Sequence, residues 1–158
     1  MQQEKSFIGI SENRLKHMLG VARKAYAIAK EEGYDNAFCR KMFMAGYIHD
    51  VGYEFCKHQS DHLEMSAILY AALSAEIDIP TFQAIREHGK YTEEETAEWR
   101  ILTTADMLVS FDGKECTVSE RLEDIKNRHG EHSDEYLTAC DICYRVGLTA
   151  INFAQNTF

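Results

Sequence analysis

The sequence predicts an all-α fold, a single helical bundle, and three observations predict it. Apolar residues recur at three- and four-residue spacing in successive segments, and no segment alternates with the period of a half-buried strand. Gly33, Gly52, Gly89 and Gly130 fall where those segments should stop. A chain of 158 residues can bury a real apolar core in one domain, expected over 1–158, without disulfides or stacked repeats.

The first helix is expected to begin after Ser11 and run to Lys30 or Glu31, because Leu15, Met18, Leu19, Ala22, Ala25, Tyr26 and Ala29 form one stripe. His17 lies on the flank of that stripe. A second helix is expected over 37–49, with Phe38, Met42, Ala45 and Ile48 as its core face, and it places His49 and Asp50 at its end. The third, over 61–73, puts His62, Met65, Ser66 and Leu69 on one face; His58, in the polar KHQSD stretch, competes with His62 as a site residue.

Pro80, tolerated in a first helical turn, starts the fourth helix, in which Ala84, Ile85 and His88 share a side. The fifth is expected over 94–110, where Trp99, Leu102, Ala105 and Val109 form the stripe that Asp106 joins. After a loop at Phe111 to Lys114, a short helix over 118–127 and a last one over 134–153 complete the bundle.

Several of these helices carry a polar group beside the core. His17, His49, Asp50, His62, His88 and Asp106 come from five separate segments, and imidazoles and carboxylates turned inward need hydrogen bonds, charge partners or a shared cation. A shared cation accounts for all six at once.

Charge limits the partners. Lys plus Arg number 17 against 26 Asp plus Glu, a net charge of -9, so broad binding to nucleic acid is not expected. A small anion remains admissible where a cation and nearby Lys or Arg reverse the local field. No apolar run has the length of a membrane span, and the start of the sequence does not resemble a cleaved leader; the expectation is a cytoplasmic protein without membrane binding. Cys39, Cys56, Cys116, Cys140 and Cys143 form neither a disulfide framework nor clear metal pairs. Cys140 and Cys143 have redox-pair spacing, yet they also fit one helix face as packing residues. The last helix is apolar on several sides and is a candidate surface for a homo-oligomer.

The chain resembles the HD superfamily of metal-dependent phosphohydrolases. The resemblance rests on the order His17, adjacent His49-Asp50 at a helix end, His62, His88, and Asp106 in TADML, and covers about residues 12–111. It implies an HD-like bundle in which His17, His49, Asp50 and Asp106 supply the primary metal site. His62 and His88 correspond to the extra ligands of two-metal members, with Asp50 bridging the ions. His49 and Asp50 are then the catalytic pair, and one or two divalent ions (manganese, iron, cobalt, nickel or zinc) are the cofactors that mixed nitrogen and oxygen ligands favour. The implied reaction is hydrolysis of a small, nucleotide-like phosphate ester or phosphoric anhydride by metal-activated water. A non-enzymatic nucleotide or metal sensor and a di-iron oxygenase are the alternatives on the same scaffold.

The sequence departs from one common form of the motif, which has lysine three residues after the aspartate; Tyr53 stands there. Lys57, Arg86 and Lys90 are the candidates to neutralise phosphate in its stead. The GYP signature of the cyclic-dinucleotide-cleaving branch and the glycine-rich phosphate loop ending in Lys-Ser or Lys-Thr are both missing.

Overall fold

The computed structural model describes residues 6–148. Its α-helices are α1 Glu12–Glu31, α2 Asn36–Ile48, α3 His62–Leu73, α4 Ile79–Glu87, α5 Ala97–Met107, α6 Val118–His129 and α7 Asp134–Arg145. Short 3₁₀ turns at Val51–Glu54 and Gln59–Asp61 join α2 to α3. The fold is all-α as expected; extended pairing among the described residues amounts to an isolated bridge between Val109 and Glu115.

Side-chain caps explain where most helices begin. Ser11, Asp35, Asp78, Thr96 and Ser133 each accept the backbone N–H three residues on, at Arg14, Phe38, Thr81, Trp99 and Tyr136. Each satisfies one of the donors a helix leaves free at its start. Thr117 and Glu120 form a reciprocal capping box at α6.

Three expected boundaries are corrected. The fifth helix starts at Ala97 rather than 94, because the Thr96 hydroxyl receives the Trp99 N–H and fixes the first turn there. It also ends at Met107 rather than 110: Cys116 N donates to Leu108 O and Ser110 N to Lys114 O, at 2.9 and 2.8 Å, so the chain turns back on itself. The last helix ends at Arg145 instead of 153. Gly147, at φ 81, takes the left-handed conformation that closes a helix, and Leu148 N reaches Cys143 O at 2.8 Å. The part of that expected helix beyond 148 lies outside the described residues.

The main core gathers Val21, Ala25 and Ala29 of α1, Met42 and Ala45 of α2, Ala67 of α3, Ile85 of α4 and Trp99, Ile101 and Leu102 of α5. Truncating a buried Leu or Ile of this kind to Ala costs about 2–5 kcal/mol. Small residues let α1 and α2 approach closely, since a Cβ on Gly46 would lie 2.7 Å from the Ala22 backbone. A second cluster of Met107, Val118, Ile125, Ala139 and Cys143 seats α6 and α7 against the end of α5. Among the described residues no helix is long and apolar enough to cross a membrane.

Candidate metal centre

Five helices and a 3₁₀ turn deliver the polar groups to one place. His17 comes from the second turn of α1, His49 caps the end of α2, Asp50 opens the 3₁₀ turn, His62 starts α3, His88 caps α4, and Asp106 lies in the last turn of α5. The turn after Asp50 lies directly on the start of α3. A Cβ on Gly52 would collide with the His62 carbonyl oxygen, and the Gly52 N–H donates to Ser66 Oγ at 2.8 Å. The missing side chain at Gly52 therefore lets His62 stand beside Asp50.

All four imidazoles are held alike. Nδ1 of His49, His62 and His88 lies 2.6 Å from the carbonyl oxygens of Gly46, Gln59 and Ile85 respectively, three residues earlier in each case. His17 Nδ1 lies 2.9 Å from the Ser110 carbonyl in the turn after α5. A carbonyl oxygen only accepts, so each Nδ1 carries the proton and donates. Nε2 of His49, His62 and His88 is left facing the cluster, the tautomer and orientation that metal-binding histidines require, and His17 Nε2 faces it too, in hydrogen-bond contact with Asp106 Oδ1 at 2.9 Å.

The two oxygens of Asp50 divide these groups. Oδ1 lies 3.4 Å from His62 Nε2 and 3.5 Å from His88 Nε2. Oδ2 lies 3.5 Å from His49 Nε2 and 3.9 Å from His17 Nε2, and Asp106 Oδ1 approaches the same two rings at 3.7 and 2.9 Å. His17, His49 and Asp50 thus form one triad of possible ligand atoms and Asp50, His62 and His88 another, each with all atoms within 4.8 Å of one another.

A cation fits this arrangement on chemical grounds. His17, His49, Asp50 and His88 are each exposed by 4% or less, and buried His49 Nε2 has no hydrogen-bond partner. An orphaned buried nitrogen costs about 1–3 kcal/mol unless something satisfies it. Burial alone would raise the Asp50 carboxyl, but His49, His88 and Arg14 outweigh it and hold the group well below the usual carboxylate range. At Asp106, too, burial opposes and His17 and His49 prevail, so that carboxyl is also held well below. Burial drives His62 down to about 4 against the pull of Asp50. A neutral His62 and two carboxylates held ionised present lone pairs, as ligands must.

All of the cluster but the fully buried His49 lines a cleft of ≈ 410 Å³. Of the three basic residues proposed to meet phosphate, Lys90 lines the cleft and Lys57 and Arg86 do not. Lys57 Nζ stands 5.6 Å over the Phe7 ring; Arg86 stands 5.6 Å over Phe82 and 3.5 Å from Glu87. His58 is exposed and His62 takes the position beside Asp50.

Sequence reasoning did not foresee two arginines that line the cleft, Arg14 and Arg121. Arg14 Nη1 donates to Asp50 Oδ2 at 2.6 Å. Its place one turn before His17 on the same helix face was the available signal. Arg121 Nη2 lies 3.7 Å from Asp106 Oδ1; fourteen intervening residues, including a turn and a helix start, left no such pattern to read.

The all-α bundle thus gathers two carboxylates and four inward imidazoles into a group that could hold a metal ion. The chain matches the HD domain family over residues 14–110 and belongs to that family, whose members are typically metal-dependent hydrolases. No curated protein and no solved structure gives a significant match to it.

Proposed function

We propose that this protein is a phosphohydrolase of a small, nucleotide-like phosphate ester or phosphoric anhydride, carried by one or two divalent transition ions. The observation that carries the reading is the division of Asp50: Oδ2 faces His17 and His49 while Oδ1 faces His62 and His88. One carboxylate shared between two imidazole pairs is the arrangement expected of a bridging ligand. His17, His49, Asp50 and Asp106 would hold the first ion, and Asp50, His62 and His88 the second. Manganese, iron, cobalt, nickel or zinc suits this donor set. When bound, such ions supply Lewis acidity toward phosphoryl oxygens and make water a better nucleophile near neutral pH.

The chain supplies the rest. Carbonyl anchors at every Nδ1 keep the rings from turning, so the ligand geometry is set before anything binds. Arg14, Lys90 and Arg121 bring positive charge to the cleft, which admits an anion despite the net charge of the chain. Ile125 of α6 and Ala139 and Ile142 of α7 also line the cleft, and apolar surroundings strengthen charge interactions.

Purified protein loaded separately with each of the five metals should release phosphate from at least one compound in a panel of nucleotides and simple phosphate esters. Release should stop on chelation. Loaded, folded protein that only binds nucleotides reversibly would identify a sensor instead, and oxygen uptake by the iron form without phosphate release would identify an oxygenase.

A further inference from the structure

We propose that Arg14 and Arg121 form a two-sided clamp for the phosphate of a phosphomonoester, and that the apolar wall beside them receives its organic group. The proposal rests on the hydrolase reading above and names its substrate class. Arg121 lies on α6, beyond the family match at 14–110, so this half of the clamp belongs to the chain's own C-terminal helices.

Arg121 is buried without being satisfied. Its side chain is 12% exposed, its Nε is buried with no hydrogen-bond partner, and its terminal nitrogens stand 3.7 Å from Asp106 and 3.5 Å from Asp124. Those separations are ion-pair contacts too long for hydrogen bonds. Asp124 is itself engaged by Arg128 at 2.8 Å, which weakens its hold on Arg121. A guanidinium has five donors in a planar fork that matches phosphate oxygens, and here most of that fork is unused.

Arg14 reaches the same cleft from α1. Its guanidinium rests on Asp50, as Arg121 rests on Asp106, so each of the cluster's two carboxylates carries one arginine. With both carboxylates committed to cations, Arg14 loses its carboxylate partner and Arg121 keeps only Asp124, which Arg128 also engages; both guanidiniums are then left to face the cleft, where phosphate oxygens complete them.

The remaining lining selects what the phosphate is attached to. Leu63, Met107, Ile125 and Ile142 give the cleft an apolar wall, while Asp134 and Glu135 at the start of α7 add negative charge. An apolar or planar organic group gains by burial against that wall. Asp134 and Glu135 would repel further phosphates, an effect that Arg128 and His129 of α6 oppose, so the preference for a monoester rests first on the apolar wall.

The test uses inorganic phosphate and non-hydrolysable phenylphosphonate, titrated calorimetrically into manganese-loaded protein whose metal content is measured on the same samples. Arg121→Ala should weaken both probes roughly 10- to 100-fold, the effect of losing hydrogen bonds to a charged group, with metal content unchanged. Arg121→Lys should recover only part of the loss, because a point charge does not replace the fork. Thr138→Trp, which projects into the cleft from α7, should weaken phenylphosphonate and spare phosphate.

Wild-type phosphate affinity in folded, loaded Arg121→Ala overturns the clamp. So does a loss explained entirely by lost metal, which would make Arg121 a positioning residue for Asp106. Equal weakening of both probes by Thr138→Trp overturns the apolar subsite. If the wild type hydrolyses esters while Arg121→Ala is unaffected, the clamp fails and the hydrolase stands. If the wild type takes up no metal yet binds phosphate through Arg121, the clamp stands and the hydrolase fails.

Discussion

Tyr53 lies flat on His62, with ring centroids 4.1 Å apart and planes 10° from parallel, and the Arg14 guanidinium stands 4.2 Å over the same Tyr53 ring. The tyrosine occupies the place where related motifs carry lysine, yet its contribution here is a surface. It fixes the plane of one imidazole and offers a π-face to the cation that holds Asp50. Burial first, then Asp50, push its hydroxyl up to about 12 against Arg14. It stays protonated at neutral pH and is no general base.

Tyr53→Phe and Tyr53→Ala therefore separate ring from hydroxyl. The phenylalanine keeps the stack and should leave metal stoichiometry unchanged. The alanine removes a ring that is 5% exposed, costing about 3–5 kcal/mol in stability. Freed from its support, His62 should then bind the second ion roughly 10- to 100-fold more weakly. Metal titration of the two folded variants checks this, and equal second-ion affinity in both would reject the stacking role.

Asp50 and His62 make different predictions although they touch. Asp50→Ala removes the group shared by both triads, so phosphate release should fall by more than ~100-fold, beyond what losing a mere partner of a ligand costs. His62→Ala should retain one ion per chain and lose the other. Metal counting with thermal melts decides both, because lost metal also lowers stability. Full hydrolysis by folded Asp50→Ala would sink the assignment of the centre.

Stability of the metal-free protein should fall on the acid side through His62. In the unfolded chain an ordinary histidine takes up its proton near pH ~6.5, whereas burial holds folded His62 down to about 4. Between those values the unfolded state binds more protons, so stability drops as pH is lowered through that window and this residue contributes no slope above it. Asp50 and Asp106, held well below the usual carboxylate range, add their losses at lower pH. His62→Gln should flatten the dependence of the denaturant midpoint between those two pH values; an unaltered slope would remove His62 as its source.

Gly52 is the steric hinge of the centre. Alanine there would strike the His62 carbonyl and stand 2.7 Å from Ser66 N, and backbone on both sides of the contact gives little. The cost should be about 1–3 kcal/mol or more, with metal affinity falling because the start of α3 is displaced. Ser66→Ala, which leaves the Gly52 N–H buried without its acceptor, should cost about 1–3 kcal/mol. Chemical denaturation with and without manganese distinguishes the two effects, since only Gly52→Ala should change the metal-dependent part strongly.

Periodicity and stop residues were enough to read the helices, because a stripe of Val21, Ala25 and Ala29 or of Trp99 and Leu102 must face a core to be worth burying. The cluster was legible for a related reason: His17 and Asp106 sit beside such stripes, where a polar group without a partner is costly. The Thr96 cap and the turn after Leu108 were less visible, as both depend on local hydrogen bonds that compete with continued helix. Arg121 was hidden because its role follows from the seating of α6, set by Val118 and Ile125 against Met107. Spacing along the chain does not encode that approach.

The three lysine and arginine residues expected to meet phosphate now divide. Lys90 lines the cleft, whereas Lys57 stands over Phe7 and Arg86 beside Phe82 and Glu87. Lys90→Ala should raise KM for the panel's best substrate by roughly 2- to 5-fold, the effect of an exposed charge contact of about 0.5–1 kcal/mol, and added salt should shrink the difference. Lys57→Ala and Arg86→Ala should change KM by less than about 2-fold, because exposed charges outside the cleft act on the substrate only through screened distance. Steady-state kinetics at low and physiological ionic strength test all three together. A large, salt-insensitive loss in Arg86→Ala would mean that its side chain leaves Phe82 when substrate binds.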